Sequence, residues 1–376
     1  MREAGAAPYA VGVSEQVAER IRNEIRSHGP MTFADFMREA LYGPGGFYEA
    51  TPIGELGDFV TSPQVHPVFS RLVGTAIEEL WNAMGRPEPF RLVDAGAGDG
   101  RMGRELIDGF ARGGVDLEYA AVEASPGARA SLSAITPRVV ERLAELEPLD
   151  PGVVVAHELL DNLPFRRVRR RRDSLVEVRI GVEGDLLVEV ETPCDAELAA
   201  TTVSPEDGEE ITVPVGALAF VEELGASLRT GYALLIDYGS AGGSAGEVHA
   251  YRDHRVLDDV LDDPGSADIT AGVDLGAVAD HARGHGLAPL GPVRQSSALL
   301  ALGFREWTRT ERARQGELLN AARGVEAVRT WDTRNRASLL VDPAALGRHL
   351  WLVLATPGLP EPAWLTRARG RRSPLD

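Results

Sequence analysis

The apolar residues of the first part of the chain recur at helical spacing. One such pattern begins at Ser14 and ends at Gly29, where a Gly-Pro pair stops it. Thr32 then starts a second helix, with Asp35 three residues later as an imperfect capping box. A further helix is predicted over residues 65–84. The chain therefore opens with a helical segment.

Beyond residue 85, short apolar runs alternate with helical patterns. Repeated β–α units of this kind are typical of a parallel sheet with helices on both faces. The predicted fold class is α/β, with a Rossmann-like, mostly parallel sheet. The predicted strands are residues 90–95, 119–123, 152–157, 232–237 and 349–355, and the first helices between them are residues 102–110 and 128–135.

Residues 165–213 interrupt this alternation with several strand-like runs. The strongest turn signal among them is Glu183-Gly184-Asp185, which predicts a hairpin. We expect an antiparallel insertion between two strands of the parallel sheet. The remaining predictions are a Gly- and Asp-rich loop over residues 240–273, helices over 274–323, a short strand at 339–341 and a frayed tail from residue 358.

These changes of pattern predict a domain organisation. It consists of an N-terminal helical segment (1–88), the first part of an α/β core (89–164), the antiparallel insertion (165–213), a continuation of the core (214–239), a loop and helical subdomain on the acceptor side (240–330), C-terminal core strands (331–357) and a flexible tail (358–376).

A glycine-rich turn, DAGAGDG, follows the first predicted strand. Gly96 and Gly98 permit positive φ and let a ligand approach the backbone. The dinucleotide pattern G-x-G-x-x-G fails here, because its third glycine position is not glycine. The turn instead places the carboxylate of Asp94 ahead of Gly96, Gly98 and Gly100. That charge complements the cationic amino group and sulfonium of S-adenosylmethionine (SAM), so the turn predicts a SAM site; a tight turn without ligand is the alternative.

A second carboxylate supports this interpretation. Glu123 ends the next predicted strand, where an acid can accept both hydroxyls of a ribose. An isolated glutamate at a strand end is more often solvated surface. Together with the glycine turn, Glu123 is predicted to bind the ribose of the cofactor.

The segment HELLDNLP follows the strand at residues 152–157, on the same edge of the sheet as the glycine turn. Glu158 and Asp161 are predicted to share one side of a helical turn and to hold a guanidinium in a planar fork. His157 is a candidate general base for a hydroxyl or amine acceptor. Alternatively, the acids cap a helix and the histidine satisfies backbone groups.

Composition and charge restrict the partners. The net charge of −18 argues against a nucleic-acid grip, although six of the residues from Arg166 to Arg172 are arginines; that run is interpreted as internally paired or as a solvated edge. Cys194 is the one cysteine, and His281 and His285 lack the glutamate of a metalloprotease motif, so no metal is predicted. Without a long apolar run or an export signal, we expect a cytoplasmic protein with no membrane association.

Several motifs, taken in order, resemble the MidA-type methyltransferases, a family that includes a mitochondrial complex I assembly factor. The motifs are MTFADFM (31–37), LYGP (41–44), GDFVTSP (57–63), the glycine turn, HELLDNLP (157–164), IDYG (236–239) and PGSADITAGVD (264–274). The resemblance covers most of residues 30–355.

The resemblance implies a class I methyltransferase core and a helical N-terminal segment close to SAM, with Thr61, Ser62 and Pro63 at the cofactor. It also implies an arginine acceptor on a protein and an N-linked methyl product. One departure is Gln64, which stands where the family usually has glutamate. If that acid orients the guanidinium, the acceptor differs here.

Two other functions are compatible with the sequence. One is an O- or N-methyltransferase for a small molecule on the same scaffold. The other is a non-catalytic assembly or binding protein that retains the SAM fold. The sequence fixes no oligomeric state, and a homodimer is among the states that it allows.

Overall fold

The computed structural model describes residues 11–50, 61–201, 205–243, 246–252 and 255–370. Its N-terminal elements are α1 (Val11–His28), β1 (Met31–Thr32), α2 (Phe33–Met37) and α3 (Phe47–Ala50). α1 and α2 confirm the two helices predicted first, whereas β1 and α3 were not predicted. The side-chain oxygen of Thr32 accepts the backbone N–H of Asp35 at 3.1 Å, which caps α2. A π-helical turn, Arg38–Tyr42, continues α2.

The chain next forms α4 (Ser62–Val65) and α5 (Val68–Ala83). The helix predicted over residues 65–84 is confirmed as α5, except that it begins three residues later than predicted. His66 is extended, with φ −165°, and Pro67 follows it. The residue before a proline avoids the helical region, so the helix breaks at this pair.

The predicted β–α alternation is confirmed in the next part of the chain. Two strands, at 90–95 and 152–157, have the predicted bounds. The elements are β2 (Phe90–Ala95), α6 (Arg101–Arg112), β3 (Leu117–Val122), α7 (Pro126–Leu132), β4 (Val139–Val140) and β5 (Gly152–His157).

The antiparallel insertion is also confirmed. It consists of β6 (Arg166–Arg171), β7 (Ser174–Glu183), β8 (Leu186–Pro193), α8 (Ala196–Thr201) and β9 (Glu210–Val213). β7 and β8 pair as a hairpin from Glu183↔Leu186, with Gly184 at φ +63° in the turn. β1 adds to the other edge of β7, so the insertion and the N-terminal segment share one sheet.

The arginine run lies on β6, and its charges are paired within the insertion. The guanidinium of Arg166 contacts Glu177 at 2.6 Å, and that of Arg167 contacts Glu189 and Glu210 at 2.6 Å each. Such cross-strand pairs stabilise a sheet and leave little charge to attract a partner. The interpretation of the run as internally paired is confirmed.

The prediction of a loop over residues 240–273 is wrong, because short strands occupy much of this range. After α9 (Val215–Ser227) and β10 (Gly231–Asp237) come β11 (Gly239–Ser240), β12 (Val248–Arg252), β13 (Arg255–Val256), β14 (Asp268–Ala271) and β15 (Val273–Asp274). β12 pairs with both β13 and β14. Strands this short depend on tertiary partners that local sequence does not reveal.

The C-terminal part corrects three further predictions. Its elements are α10 (Leu275–Gly284), β16 (Ala288–Arg294), α11 (Gln295–Ala301), α12 (Phe304–Asn320), α13 (Gly324–Ser338), β17 (Leu350–Ala355) and α14 (Ala363–Arg369). β16 was missed because Pro289 and Pro292 lie in it, which an edge strand tolerates. The strand at 339–341 is wrong: these residues form the turn after α13.

The tail predicted to fray from residue 358 instead packs on the core. Trp364 and Leu365 of α14 are fully buried, and the backbone N–H of Trp364 donates to the Glu79 carboxylate at 2.7 Å. Burial of a side chain as large as that of Trp364 stabilises the folded tail even though the segment is rich in arginine. Only residues 371–376 of the predicted tail lie outside the described residues.

The main sheet has seven strands in the order β16-β17-β10-β5-β2-β3-β4. The five from β10 to β4 are parallel, and β17 is antiparallel to β10. Strand order reverses between β2 and β5, where open α/β sheets place their ligands at the carboxyl ends. Among the described residues, each helix is too short or too polar to cross a lipid bilayer.

Candidate active site

The glycine turn lies at the carboxyl end of β2, as predicted. Gly96, Gly98 and Gly100 have φ of +72°, +55° and +70°, a region that L-residues other than glycine rarely adopt. A side chain at Gly100 would also lie 2.2 Å from Ile135. The turn thus needs glycine for its backbone path, and Gly96 and Gly98 line a cavity.

Glu123 follows β3 and stabilises this turn through hydrogen bonds. Its carboxylate accepts the backbone N–H of Gly98 at 2.9 Å and that of Ser125 at 2.8 Å. Burial raises the pKa of Glu123, and these hydrogen bonds oppose the rise. Glu123 also lines the cavity, next to the glycine turn that it holds.

Asp94 lies behind the cavity wall and is 1% exposed. Its Oδ2 accepts the hydroxyl of Tyr119 at 2.8 Å, and its Oδ1 has no hydrogen-bond partner in the part of the chain that the structure describes. Burial raises the pKa of Asp94 to about 6. The carboxylate is therefore costly to ionise unless a cation, such as the one predicted for SAM, lies nearby.

We expect Asp94→Asn to become more stable than the wild type as the pH rises. An acid whose folded pKa is raised binds more protons when folded, so its contribution to stability falls between the unfolded pKa of about 4 and the folded value of about 6. The asparagine avoids that loss and keeps an oxygen for Tyr119. Urea unfolding at pH 5 and pH 8 should show that the free energy of unfolding of the variant, relative to that of the wild type, rises by about 1.4 kcal/mol between the two pH values. A difference that does not change with pH would contradict this account.

The loop before α4 forms another part of the wall. Thr61 and Pro63 line the cavity, whereas Ser62 is buried behind them and donates its N–H to Glu158 at 3.4 Å. The side-chain oxygen of Gln64 accepts the N–H of Thr61 at 3.1 Å. Glutamine satisfies that bond as well as glutamate, which explains how this loop tolerates the departure from the family pattern. Residues 57–60 of the motif lie outside the described residues.

His157 and Glu158 form an ion pair at the end of β5. The distance from His157 Nε2 to Glu158 Oε1 is 2.9 Å. Burial lowers the pKa of His157, but the nearby carboxylates, Glu158 first, outweigh it and raise the value above the usual one. The pKa of Glu158 is lowered, because His157 outweighs the effect of burial.

The expectation that Glu158 and Asp161 share one side of a helical turn is wrong. The helical turn covers Leu160–Asn162, and Glu158 lies before it with φ +49°. Positive φ at a residue other than glycine is strained and is concentrated at functional sites. The two carboxylates nevertheless line the same cavity.

Asp161 lies in a group of buried acids. It is 8% exposed, and its Oδ1 has no hydrogen-bond partner among the described residues. Burial raises its pKa well above the usual range, and the nearby carboxyl groups of Asp237, Asp268 and Glu158 raise it further. Burial also raises the pKa of Asp237 to about 7. A bound cation would favour the ionised form of these acids, so the group is suited to a cation.

The structure adds residues that sequence analysis did not select. The Asp268 carboxylate accepts the Tyr48 hydroxyl at 2.9 Å and the Asn162 amide at 3.0 Å. His349 precedes β17 and lies with its Nε2 3.7 Å from Glu158 Oε1. Asp237 and Asp268 fall within the motifs IDYG and PGSADITAGVD, so the sequence could have identified them as candidate site residues. For His349 the sequence offers no such indication beyond its position at a predicted strand.

One cavity of about 700 Å³ contains both groups of residues. Its size is in the range of small-ligand sites. Its lining includes Gly96, Gly98 and Glu123 as well as Asp161 and Asp268. The residues of the glycine turn and the group of buried acids therefore line one continuous space.

The sheet order, the glycine turn after the central strand and the acid after β3 together define a class I methyltransferase. A family model described as "Putative S-adenosyl-L-methionine-dependent methyltransferase" matches residues 72–293. The chain belongs to this family of SAM-dependent methyltransferases, and SAM is its cofactor.

Relatives and solved structures agree with the family. The Mus musculus protein named Protein arginine methyltransferase NDUFAF7, mitochondrial, is 30% identical over 331 residues, which are 77% of this chain and 76% of that protein. Its Drosophila melanogaster homolog is 29% identical over 385 residues, covering 91% of this chain and 85% of that protein. A structure from Burkholderia thailandensis, bound to S-adenosyl-homocysteine, covers 98% of both chains at 28% identity, with a TM-score of 0.82. The resemblance inferred from the motifs is confirmed.

Proposed function

We propose that this methyltransferase transfers the methyl group of SAM to a guanidinium nitrogen of arginine on a protein. The observation that carries the proposal is the buried Asp161 carboxylate, which lacks a hydrogen-bond partner for Oδ1 among the described residues and lies beside Asp237, Asp268 and Glu158. A guanidinium presents several N–H groups in one plane and stays charged at neutral pH, so it satisfies such a group of acids. The names of the relatives point to the same acceptor.

The cofactor subsite follows from the geometry of the turn. In the proposal, the backbone at Gly96 and Gly98 borders SAM, Glu123 accepts the ribose hydroxyls, and Thr61 and Pro63 close the opposite wall. Gly100 supports the glycine turn and Ser62 supports the loop of Thr61 and Pro63, both from behind the cavity lining. Asp94 balances the positive charge of the cofactor. When bound, SAM supplies an electrophilic methyl group on its sulfonium.

Asp161 orients the acceptor. Its free oxygen would accept N–H groups of the guanidinium, and Asp268, held by Tyr48 and Asn162, would add negative charge from the adjoining wall. Orientation of this kind places the attacking nitrogen lone pair towards the methyl carbon as the carbon–sulfur bond breaks. Glu158 is the second candidate for contact with the acceptor.

The methylated guanidinium must lose one proton, and His349 is placed to accept it. Burial lowers the pKa of His349, so its imidazole is neutral at neutral pH. Its Nδ1 lies 2.8 Å from the Leu346 carbonyl, which fixes the proton there and leaves Nε2 as the base. His157, the base expected from the sequence, has a raised pKa and is held by Glu158. We therefore assign the proton to His349 and a positioning role to His157.

We expect His349→Gln to reduce kcat by about a hundredfold or more, because general bases contribute factors of this order. In the wild type, kcat/KM should rise with pH until it passes the lowered pKa of His349; the variant should lose that rise. S-adenosyl-homocysteine should bind both proteins equally. The control is His28→Gln at the exposed end of α1. An unchanged pH profile in His349→Gln would assign the base to another residue.

The acceptor is tested by binding small analogues in the presence of S-adenosyl-homocysteine. Calorimetric titration would compare Nα-acetyl-arginine amide with the citrulline and lysine equivalents. We expect only the arginine compound to bind, because citrulline has the same shape without the charge and lysine lacks the planar donors. Equal binding of citrulline would show that the acidic residues do not select the acceptor by its charge, and it would favour a small, uncharged acceptor.

The place of action stays a prediction. We propose the cytoplasmic location that is expected from the sequence. The names of several relatives, in contrast, assign those proteins to mitochondria. Fluorescence microscopy of the tagged protein in its own cells would distinguish the two.

A further inference from the structure

A second cluster of ligand-type side chains lies outside the methyl-transfer cavity. It consists of Glu222 on α9 and His281 and His285 at the end of α10. One ligand atom from each residue lies within 4.8 Å of the other two. The spacing of the two histidines is one helical turn, so both rings emerge on the same face. Their ring centroids are 4.5 Å apart.

The distances suit a single metal ion. Oε1 of Glu222 lies 3.0 Å from His281 Nε2 and 3.8 Å from His285 Nε2. Ligands bound tetrahedrally at about 2.0 to 2.2 Å from Zn²⁺ lie roughly 3.3 Å from each other. Small side-chain rotations would bring the three atoms to that spacing.

The two helices hold this arrangement in place. Val221 and Leu224 of α9 and Val278 and Ala282 of α10 are buried in one core. At Gly225 the backbones approach so closely that a Cβ would lie 2.6 Å from the carbonyl oxygen of His285. The core thus fixes the helix positions, while the ligand side chains themselves are 28% to 53% exposed and accessible to an ion.

We propose that Glu222, His281 and His285 bind a divalent transition-metal ion, with water completing its coordination. Two imidazoles and one carboxylate favour Zn²⁺, Ni²⁺ or Cu²⁺ over Mg²⁺ and Ca²⁺, which prefer oxygen ligands. This proposal revises the sequence-based expectation of no metal, which considered only the two histidines. Glu222 is remote from them in the chain and was brought to them by helix packing.

The metal would connect α10 to a wall of the SAM cavity. Phe220 and Glu223, on either side of Val221 and Glu222, line that cavity. The carboxylate of Glu223 accepts the N–H of Ala144 at 2.7 Å. An ion bound on the outer side of α9 would therefore stabilise the helix that borders the cofactor, without taking part in methyl transfer.

The test is a calorimetric titration of Zn²⁺ into the full chain, purified without a polyhistidine tag. We expect one equivalent to bind, and His281→Ala, His285→Ala and Glu222→Gln each to weaken binding at least about tenfold. Zn²⁺ should raise the unfolding temperature of the wild type but not that of His285→Ala. The matched control is His28→Ala, because His28 also pairs with a glutamate, Glu24, at 3.0 Å but without the second histidine.

Two outcomes would overturn the proposal. One is that the wild type binds no Zn²⁺; the other is that the three variants bind it as the wild type does. Loss of Zn²⁺ binding only in His28→Ala would show that the ion binds near His28, and it would also contradict a metal site at Glu222, His281 and His285. None of these results bears on methyl transfer, which uses the opposite side of α9.

Discussion

Asp161→Asn is expected to lower kcat/KM for methyl transfer by about a hundredfold to a few thousandfold. Removing one partner of a buried ion pair costs about 3 to 5 kcal/mol, and each 1.4 kcal/mol corresponds to a factor of ten. Asparagine preserves the shape of the side chain but presents a donor where the guanidinium needs an acceptor. The loss should therefore come from the acceptor side of the reaction.

Two further measurements separate this effect from a general disturbance. S-adenosyl-homocysteine should bind Asp161→Asn about as tightly as the wild type, because the cofactor is proposed to bind at Glu123 and the glycine turn and not at Asp161. The variant should also be at least as stable at neutral pH, because the substitution relieves repulsion among buried carboxyls. The control is Asp262→Asn in an exposed turn. Full activity in Asp161→Asn would show that Asp161 does not hold the acceptor.

Glu123→Gln is expected to weaken SAM binding at least about a hundredfold. The carboxylate holds the N–H groups of Gly98 and Ser125 with its two oxygens. Glutamine has one oxygen, so its amide NH2 would face one of those N–H donors, and a buried donor without an acceptor costs about 1 to 3 kcal/mol. The variant would also lose the charged acceptor for the ribose hydroxyls, and the two losses act on the same ligand.

Calorimetric titration of SAM measures this effect. The matched control is Glu118→Gln, since Glu118 lies on the same strand, β3, and pairs with Arg91 and Arg138 at its other end. We expect that control to bind SAM as the wild type does. If Glu123→Gln retains wild-type affinity while remaining folded, the ribose does not bind at this carboxylate.

The sequence predicted the parallel core because its signals there are local. β2 and β5 are short apolar runs that are buried along almost their whole length, and the turn after β2 needs glycine whatever surrounds it. The same is true of the β7–β8 hairpin, whose turn residue Gly184 has positive φ. A local pattern was sufficient in each of these cases.

The wrong predictions concern elements that depend on tertiary contacts. β16 contains two prolines and is a strand only because it lies at the edge beside β17. α14 carries arginines that suggest a frayed tail, yet Trp364 packs against Trp351 of the sheet with ring centroids 5.6 Å apart. Local composition could not reveal that burial.

The candidate site was predicted in part for the same reason. Glu158 and Asp161 were identified from their position after β5, but the strained backbone of Glu158 was not foreseen. Asp268 and His349 come from distant parts of the chain and join the cavity only through folding. The sequence therefore predicted more of the residues proposed to bind the cofactor than of those proposed to bind the acceptor.

The most direct test of the account is the transfer of a radiolabelled methyl group from SAM to peptides. The probes are a degenerate peptide library with a fixed central arginine and a matched library with lysine at that position. We expect the label in methylarginine after acid hydrolysis, with the arginine library only, and its loss with Asp161→Asn. Label in lysine, or label in arginine that persists in Asp161→Asn, would contradict the assignment of the acidic cavity to a guanidinium.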